Sequence, residues 1–293
     1  MDLGLAVFPN GELDSLVFSA IGQADDIALI SSSLRNLQYL LHLSKMYCEK
    51  YQVKLVGSKT KLLVFNSKDT VLQSEVDLAS TTISVNGQVI LPTQQAAHVG
   101  VVRSVVGNEA NILSRLAAHR KAMYSLLSAG LARNHRANPS AALRIESVYG
   151  VPVLLSGLAS LVLTTKEENM IAQHYKVHLE RLLKLHQATP APVVFMLAGC
   201  LPLQAQLHLK IFTIFGQLCR LRAGDNPLAV LAGNMFSSSN SNPKSWFGVV
   251  RKLCLQYGLK HPSEWLSYQP SKTQVKRITK SAVLQFWLAK LRD

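Results

Sequence analysis

The stretch Leu16-Val-Phe-Ser-Ala-Ile-Gly-Gln-Ala-Asp-Asp-Ile-Ala-Leu-Ile30 decides how this chain is read. Two adjacent carboxylates, Asp25 and Asp26, stand between two apolar, strand-like runs, 16–21 and 27–30. The pattern predicts a hairpin with the two aspartates at its tip. Hard oxygen ligands at a tight strand turn are what a protein needs to hold Mg²⁺. A solvated turn or a helix cap uses the same dipeptide, so the residues after it carry the weight.

Ser32 or Ser33 is placed to cap a helix running to about Tyr51, with Leu34, Leu37, Leu40, Leu41, Leu43 and Met46 as its apolar face. Tyr51-Gln-Val-Lys-Leu55 and Lys59-Thr-Lys-Leu-Leu-Val-Phe65 come next, with a strand expected over 61–65. Ile83-Ser-Val-Asn-Gly-Gln-Val-Ile90 reads as a hairpin turning at Asn-Gly, and His98-Val-Gly-Val101 comes after it. Residues 1–105 are therefore expected to be α+β, a sheet with helices on one side.

Taken in order, these segments resemble the second half of a reverse transcriptase palm of the non-LTR retrotransposon kind. Ala24-Asp25-Asp26 resembles the family's aromatic-Ala-Asp-Asp metal motif. Lys59-Thr60 resembles its following Lys-Thr motif, and His98-Val-Gly-Val101 the hairpin that grips the primer. The ordered set is more specific than any one member. The resemblance continues into the helices after residue 108 and into Ser245-Trp-Phe and Tyr257-Gly-Leu.

The resemblance implies a partial polymerase palm over 1–105, a mainly α-helical thumb over 106–235, a linker at 236–244 and C-terminal helices over 245–293. It implies RNA template and DNA primer as partners and, in the intact polymerase, dNTP and Mg²⁺, the ion held by Asp25 and Asp26, with Lys59 as proton donor or phosphate contact. The solvated lysine at a strand end is the plain alternative for Lys59. Two-metal chemistry needs carboxylates from two separate strands. The family's other essential aspartate and its fingers are expected upstream of residue 1, so the chain alone is expected to be inactive. Gln23 stands where the family usually has Tyr or Phe, and Val56-Gly57-Ser58 precedes Lys59 where many members place an Asn. A non-catalytic nucleic-acid-binding or structural protein derived from such a fragment is the alternative reading.

Charge agrees with an acidic part joined to a basic one. Residues 1–98 carry nine Asp or Glu and seven Lys or Arg; residues 99–293 carry eight and twenty-four. An excess of this size points to a polyanionic partner, though a basic helical protein of ordinary kind also shows it. Arg115, Arg120, Lys121, Arg133 and Arg136 are the expected nucleic-acid contacts.

After residue 105 the hydrophobic period becomes helical. Helices are expected at 108–130, 139–159, 166–186 and 203–222, then two short ones after 245, the second from about Ser271. On the first, Leu113, Leu116, Ala117 and Tyr124 form the expected apolar face. On the last, Lys272, Lys276, Arg277 and Lys280 crowd one side, and Val275, Ile278, Leu284 and Trp287 form the stripe. That helix fits nucleic acid, a membrane surface or packing on the preceding bundle.

Cys48, Cys200, Cys219 and Cys254 are irregularly spaced and form no Cys-x-x-Cys, which suits a reducing intracellular compartment, nuclear or cytoplasmic. No secretory signal is visible at the start, and the longest apolar run, 151–163, is too short to span a bilayer. No membrane partner is expected. His174 and His178 are four apart on an expected helix, as metal ligands can be, but lack an obvious third ligand and read as an exposed polar face. There is no Walker-type loop, and Ser156 lacks a nucleophile elbow.

Overall fold

The computed structural model describes residues 7–9, 16–18, 20–23, 26–31, 33–65, 83–126, 138–221, 227–239 and 242–292. It is α+β, mostly helical with a few small antiparallel strand pairs, and divides into two compact units, Met1–Ala110 and Asn111–Asp293.

In the first unit the described strands form four two-stranded hairpins rather than one continuous sheet. β1 (Val7–Pro9) pairs with β2 (Leu16–Phe18) and β3 (Ala20–Gln23) with β4 (Asp26–Leu29). In the second pair Gln23 lies opposite Asp26. Helix α1 (Leu34–Lys50) starts at Ser33, whose side chain accepts from the Asn36 N–H. Its face places Leu34, Leu37 and Leu41 against a small core of Leu62, Ile83, Val85 and Ile90. Gln38 fastens the same contact: its amide donates to Ser84 O (3.3 Å) and accepts from Ser84 N (2.9 Å). Met46, expected on the apolar face, is exposed.

β5 (Ser84–Val85) and β6 (Gln88–Val89) turn through Asn86 and Gly87, both at positive φ (52° and 80°), as a type I′ turn requires. β7 (Gln95–His98) and β8 (Val101–Ser104) turn the same way through Val99 and Gly100 (48° and 71°). The strand expected at 61–65 reduces to one parallel bridge between Leu62 and Pro92, after a 3-10 turn at Gly57–Lys59. Pro92 has no N–H to extend a ladder.

The second unit is helical around one core. α2 (Glu109–Leu126) buries Ile112, Leu116, His119 and Met123. These are spaced i, i+4, i+7, i+11, one stripe of a helix. Leu113 and Tyr124, expected inside, are about one residue's rotation away and lie exposed. The helix expected over 139–159 is broken. α3 (Pro139–Ile145) passes into a π turn (Glu146–Gly150), then α4 (Val151–Leu154), a left-handed Gly157 and a 3-10 turn. Pro152 explains the π turn. In an unbroken α-helix it would lack the N–H for Val148 O and clash with that carbonyl, and one extra residue per turn relieves both. The run 151–163 is nonetheless buried: Val151, Leu154, Leu155, Leu158 and Ala159 all lie in the core.

α5 (Thr165–Leu183) opens on a capping box between Thr164 and Glu167 and presents Ile171, Tyr175 and Leu179 to the core. α6 (Ala191–Ala198) and α8 (Pro227–Ser238) are helices the periodicity does not predict; α7 (Leu203–Leu218) is one it does. α8 takes in residues 236–238, the start of the expected linker.

Three helices complete the unit, α9 (Trp246–Gln256), α10 (Pro262–Tyr268) and α11 (Lys272–Arg292). They share the core of the preceding helices through Phe247, Val250, Trp265, Val275, Val283 and Trp287. α11 buries Val275, Thr279, Val283 and Trp287, spaced by four, while Ile278 and Leu284 are partly exposed. No single helix among the described residues is long and apolar enough to cross a membrane; α6 and α7 pass that test only as a pair bent by 65°.

Candidate functional site

Asp26 opens β4 and is exposed; Asp25 lies outside the described residues. Lys59 ends the 3-10 turn, exposed, and no ion pair joins it to Asp26 among the described residues. On α2, Arg120 and Lys121 are exposed side by side. Arg115 is half-buried, and its buried Nε has no hydrogen-bond partner among the described residues. It lies too close to the buried stripe to belong wholly to an outer basic face. Arg133 and Arg136 lie outside the described residues. The Mg²⁺ that the resemblance implies needs carboxylates from two strands. Among the described strand residues of the first unit Asp26 is the one carboxylate; Glu49 lies on α1 and Glu109 opens α2. The described strands therefore do not fit that ion, and no catalytic step can be derived from them.

The densest polar chemistry lies in the second unit instead. His119, Glu146 and His178 come from three elements and meet in the interior. His119 Nε2 is 3.0 Å from Glu146 Oε1, and His178 Nε2 is 2.9 Å from Glu146 Oε2. His119 Nδ1 is 3.0 Å from His174 Nε2. The side chains of His119 and Glu146 are 0% and 1% exposed. His178 reaches the site from one turn beyond His174 and keeps 15% of its side chain exposed.

Local sequence explains each position. His119 stands in the buried stripe of α2, where a leucine would otherwise sit. Glu146 is the first residue of the π turn. Gly150 leaves room for it: a Cβ there would overlap the Glu146 carboxyl group. His174 and His178 share one face of α5, beside the apolar face of Ile171, Tyr175 and Leu179.

Burial opposes the charge of Glu146, but hydrogen bonds from His119 and His178, and their attraction, hold its carboxyl down at about 2. It is a carboxylate at neutral pH. Burial first, then the neighbouring His119, Arg120 and His178, lower His174 to about 4, so its ring is neutral. A carboxylate only accepts. Both Nε2 atoms facing Glu146 therefore carry protons, and His119 Nδ1 and His174 Nε2 share one hydrogen bond. Every inward polar atom of the cluster is then satisfied.

Glu146 also borders a cavity of about 280 Å³ lined by Leu143, Arg144, Tyr175, Leu179 and Cys200. Burial raises the thiol of Cys200, which accepts from Tyr175 at 3.7 Å. The cavity thus combines one cation, one carboxylate and apolar walls.

The pairing of His174 with His178 is visible in the sequence; their burial is not. Their partners lie 55 and 32 residues away, on other helices. The available signal is Glu146 itself, a lone carboxylate in the run 137–163, where burial demands a partner. No family model, curated protein or solved structure matches the chain.

Proposed function

We propose that the chain is part of a reverse transcriptase of the non-LTR retrotransposon kind and that its own capacity is to hold nucleic acid rather than to polymerise. The observation that carries this is the β3–β4 hairpin, which opens its second arm on Asp26 opposite Gln23. Its support is the order of the elements downstream: helix α1, the Asn86-Gly87 turn and the His98-Val-Gly-Val101 hairpin. A helical unit holding most of the positive charge comes after them. Residues 1–105 are then the partial palm, 106–235 the thumb and 245–293 the C-terminal helical segment.

Arg120 and Lys121 are the exposed cations with which the helical unit would meet phosphate. Such contacts release counterions and read no sequence. Titration of a labelled RNA–DNA primer–template hairpin at several salt concentrations is the test. Affinity should fall steeply with salt and vary little with sequence. Binding no tighter than that of an unrelated protein of equal charge sinks the proposal. Primer extension by the same chain with Mg²⁺ or Mn²⁺ should be undetectable. Robust extension lost in Asp25→Ala would show that the active site is complete and refute the binding-only part.

A further inference from the structure

We propose that His119 Nε2, one carboxylate oxygen of Glu146 and His178 Nε2 form a zinc site, with His174 as the residue that positions His119. This site is separate from the nucleic-acid reading and does not depend on it. Its three ligand atoms lie within 4.8 Å of one another, with the two imidazole nitrogens at 3.0 and 2.9 Å from the carboxylate oxygens they face. A tetrahedral zinc with bonds of about 2.0–2.1 Å keeps its ligands roughly 3.3 Å apart. Small side-chain shifts close the set around an ion.

The donor set selects the metal. Two imidazoles and one carboxylate suit zinc, whereas Mg²⁺ and Ca²⁺ prefer all-oxygen shells. Two histidines with a glutamate are also a set that leaves the fourth position free. Glu146 borders the 280 Å³ cavity, from which water can take that position. The partly exposed His178 gives the ion an entry side.

His174 supplies what a ligating histidine needs, a partner for its other ring nitrogen. Without metal, His119 and His178 each place a proton on Nε2, toward Glu146. With metal, each of those protons moves to Nδ1 of the same ring. His119 Nδ1–H then donates to His174 Nε2, and His174 carries its own proton on Nδ1. The metal replaces two hydrogen bonds on a carboxylate that burial leaves without solvent.

The experiment uses the full chain, stripped with chelator and checked by circular dichroism. Zinc is titrated in competition with a chromophoric chelator, and Co²⁺ is added as a spectroscopic probe. The expected result is one ion per chain and a tetrahedral Co²⁺ spectrum. Glu146→Gln and His178→Ala should each weaken binding on the order of 100-fold or more, and His174→Gln by about 10–100-fold at unchanged stoichiometry. His42→Ala, on the exposed side of α1, should change nothing. If the buried variants unfold, X-ray absorption of the wild-type zinc form decides: two imidazoles and oxygen in the first shell support the site. Sulfur in that shell, no uptake by the folded wild type, or uptake unchanged in folded Glu146→Gln and His178→Ala overturns it.

Discussion

Gly150 and Glu146 sit one turn apart in the π segment, and no side chain fits at position 150 while the Glu146 carboxyl keeps its place between the two histidines. The missing Cβ is therefore part of the buried cluster.

Gly150→Ala should destabilise the second unit by about 3 kcal/mol, because displacing Glu146 leaves a buried carboxylate without its partners. Gly233 in α8 provides the contrast. A Cβ there meets nothing within 4 Å, so Gly233→Ala should stabilise by roughly 0.5–1 kcal/mol through helix propensity. Urea unfolding of both variants followed by circular dichroism checks the pair. Equal effects would show that Gly150 is not needed to seat Glu146.

The features legible in the sequence are local. Ser33 as a cap, Asn86-Gly87 as a turn and the long period of α5 each depend on residues a few positions apart. Pro152 within an apolar helical run is a signal for the π turn, but the helical period of its neighbours masks it. The His119–Glu146–His178 cluster is not legible. It depends on how three helices pack, and no spacing rule connects residues 27 and 32 apart. The buried stripe of α2 differs from the expected one by a single residue's rotation because Ile112 and Leu113 offer two adjacent apolar faces that share Leu116.

Val99 stands at φ 48° at the tip of the His98–Val101 hairpin. A β-branched residue in the left-handed region is strained, at a cost of about 1–2 kcal/mol. Val99→Asn should raise the stability of the first unit by about 1 kcal/mol, since Asn tolerates this conformation. Thermal unfolding provides the check, and a lower midpoint would show that Val99 packs in a way that offsets its strain.

Arg120 and Lys121 should carry phosphate contacts if the helical unit clamps nucleic acid. Arg120→Ala with Lys121→Ala should weaken binding about equally on all sequences. The slope of log affinity against log salt should flatten by roughly one for each phosphate no longer neutralised. Asp26→Ala should leave binding unchanged or slightly tighter, since it removes a negative charge. A double variant with an unaltered salt slope would place the binding surface elsewhere.

His208 makes the stability of the second unit depend on pH. It is buried on α7, with Nδ1 2.6 Å from Tyr257 Oη, and Trp287 Nε1–H donates to the same hydroxyl at 3.0 Å. An indole only donates, so the tyrosine accepts from Trp287, and its own O–H donates to His208 Nδ1. That requires a neutral His208. Burial first, then the charge of Lys252, lower its pKa to about 4. In the unfolded chain a histidine titrates near 6.5. Between those values the unfolded state binds more protons, so stability rises with pH. The contribution of His208 is complete above about 6.5 and is lost as pH falls toward 4, amounting to roughly 3 kcal/mol. His174, also lowered to about 4, shares the window. His208→Gln, neutral throughout, should therefore flatten only part of the decline between pH 7.5 and 4.5. Urea midpoints across that range measure it. A decline identical to that of the wild type would mean that His208 is protonated in the folded state and that the Tyr257–Trp287 chain does not hold it neutral.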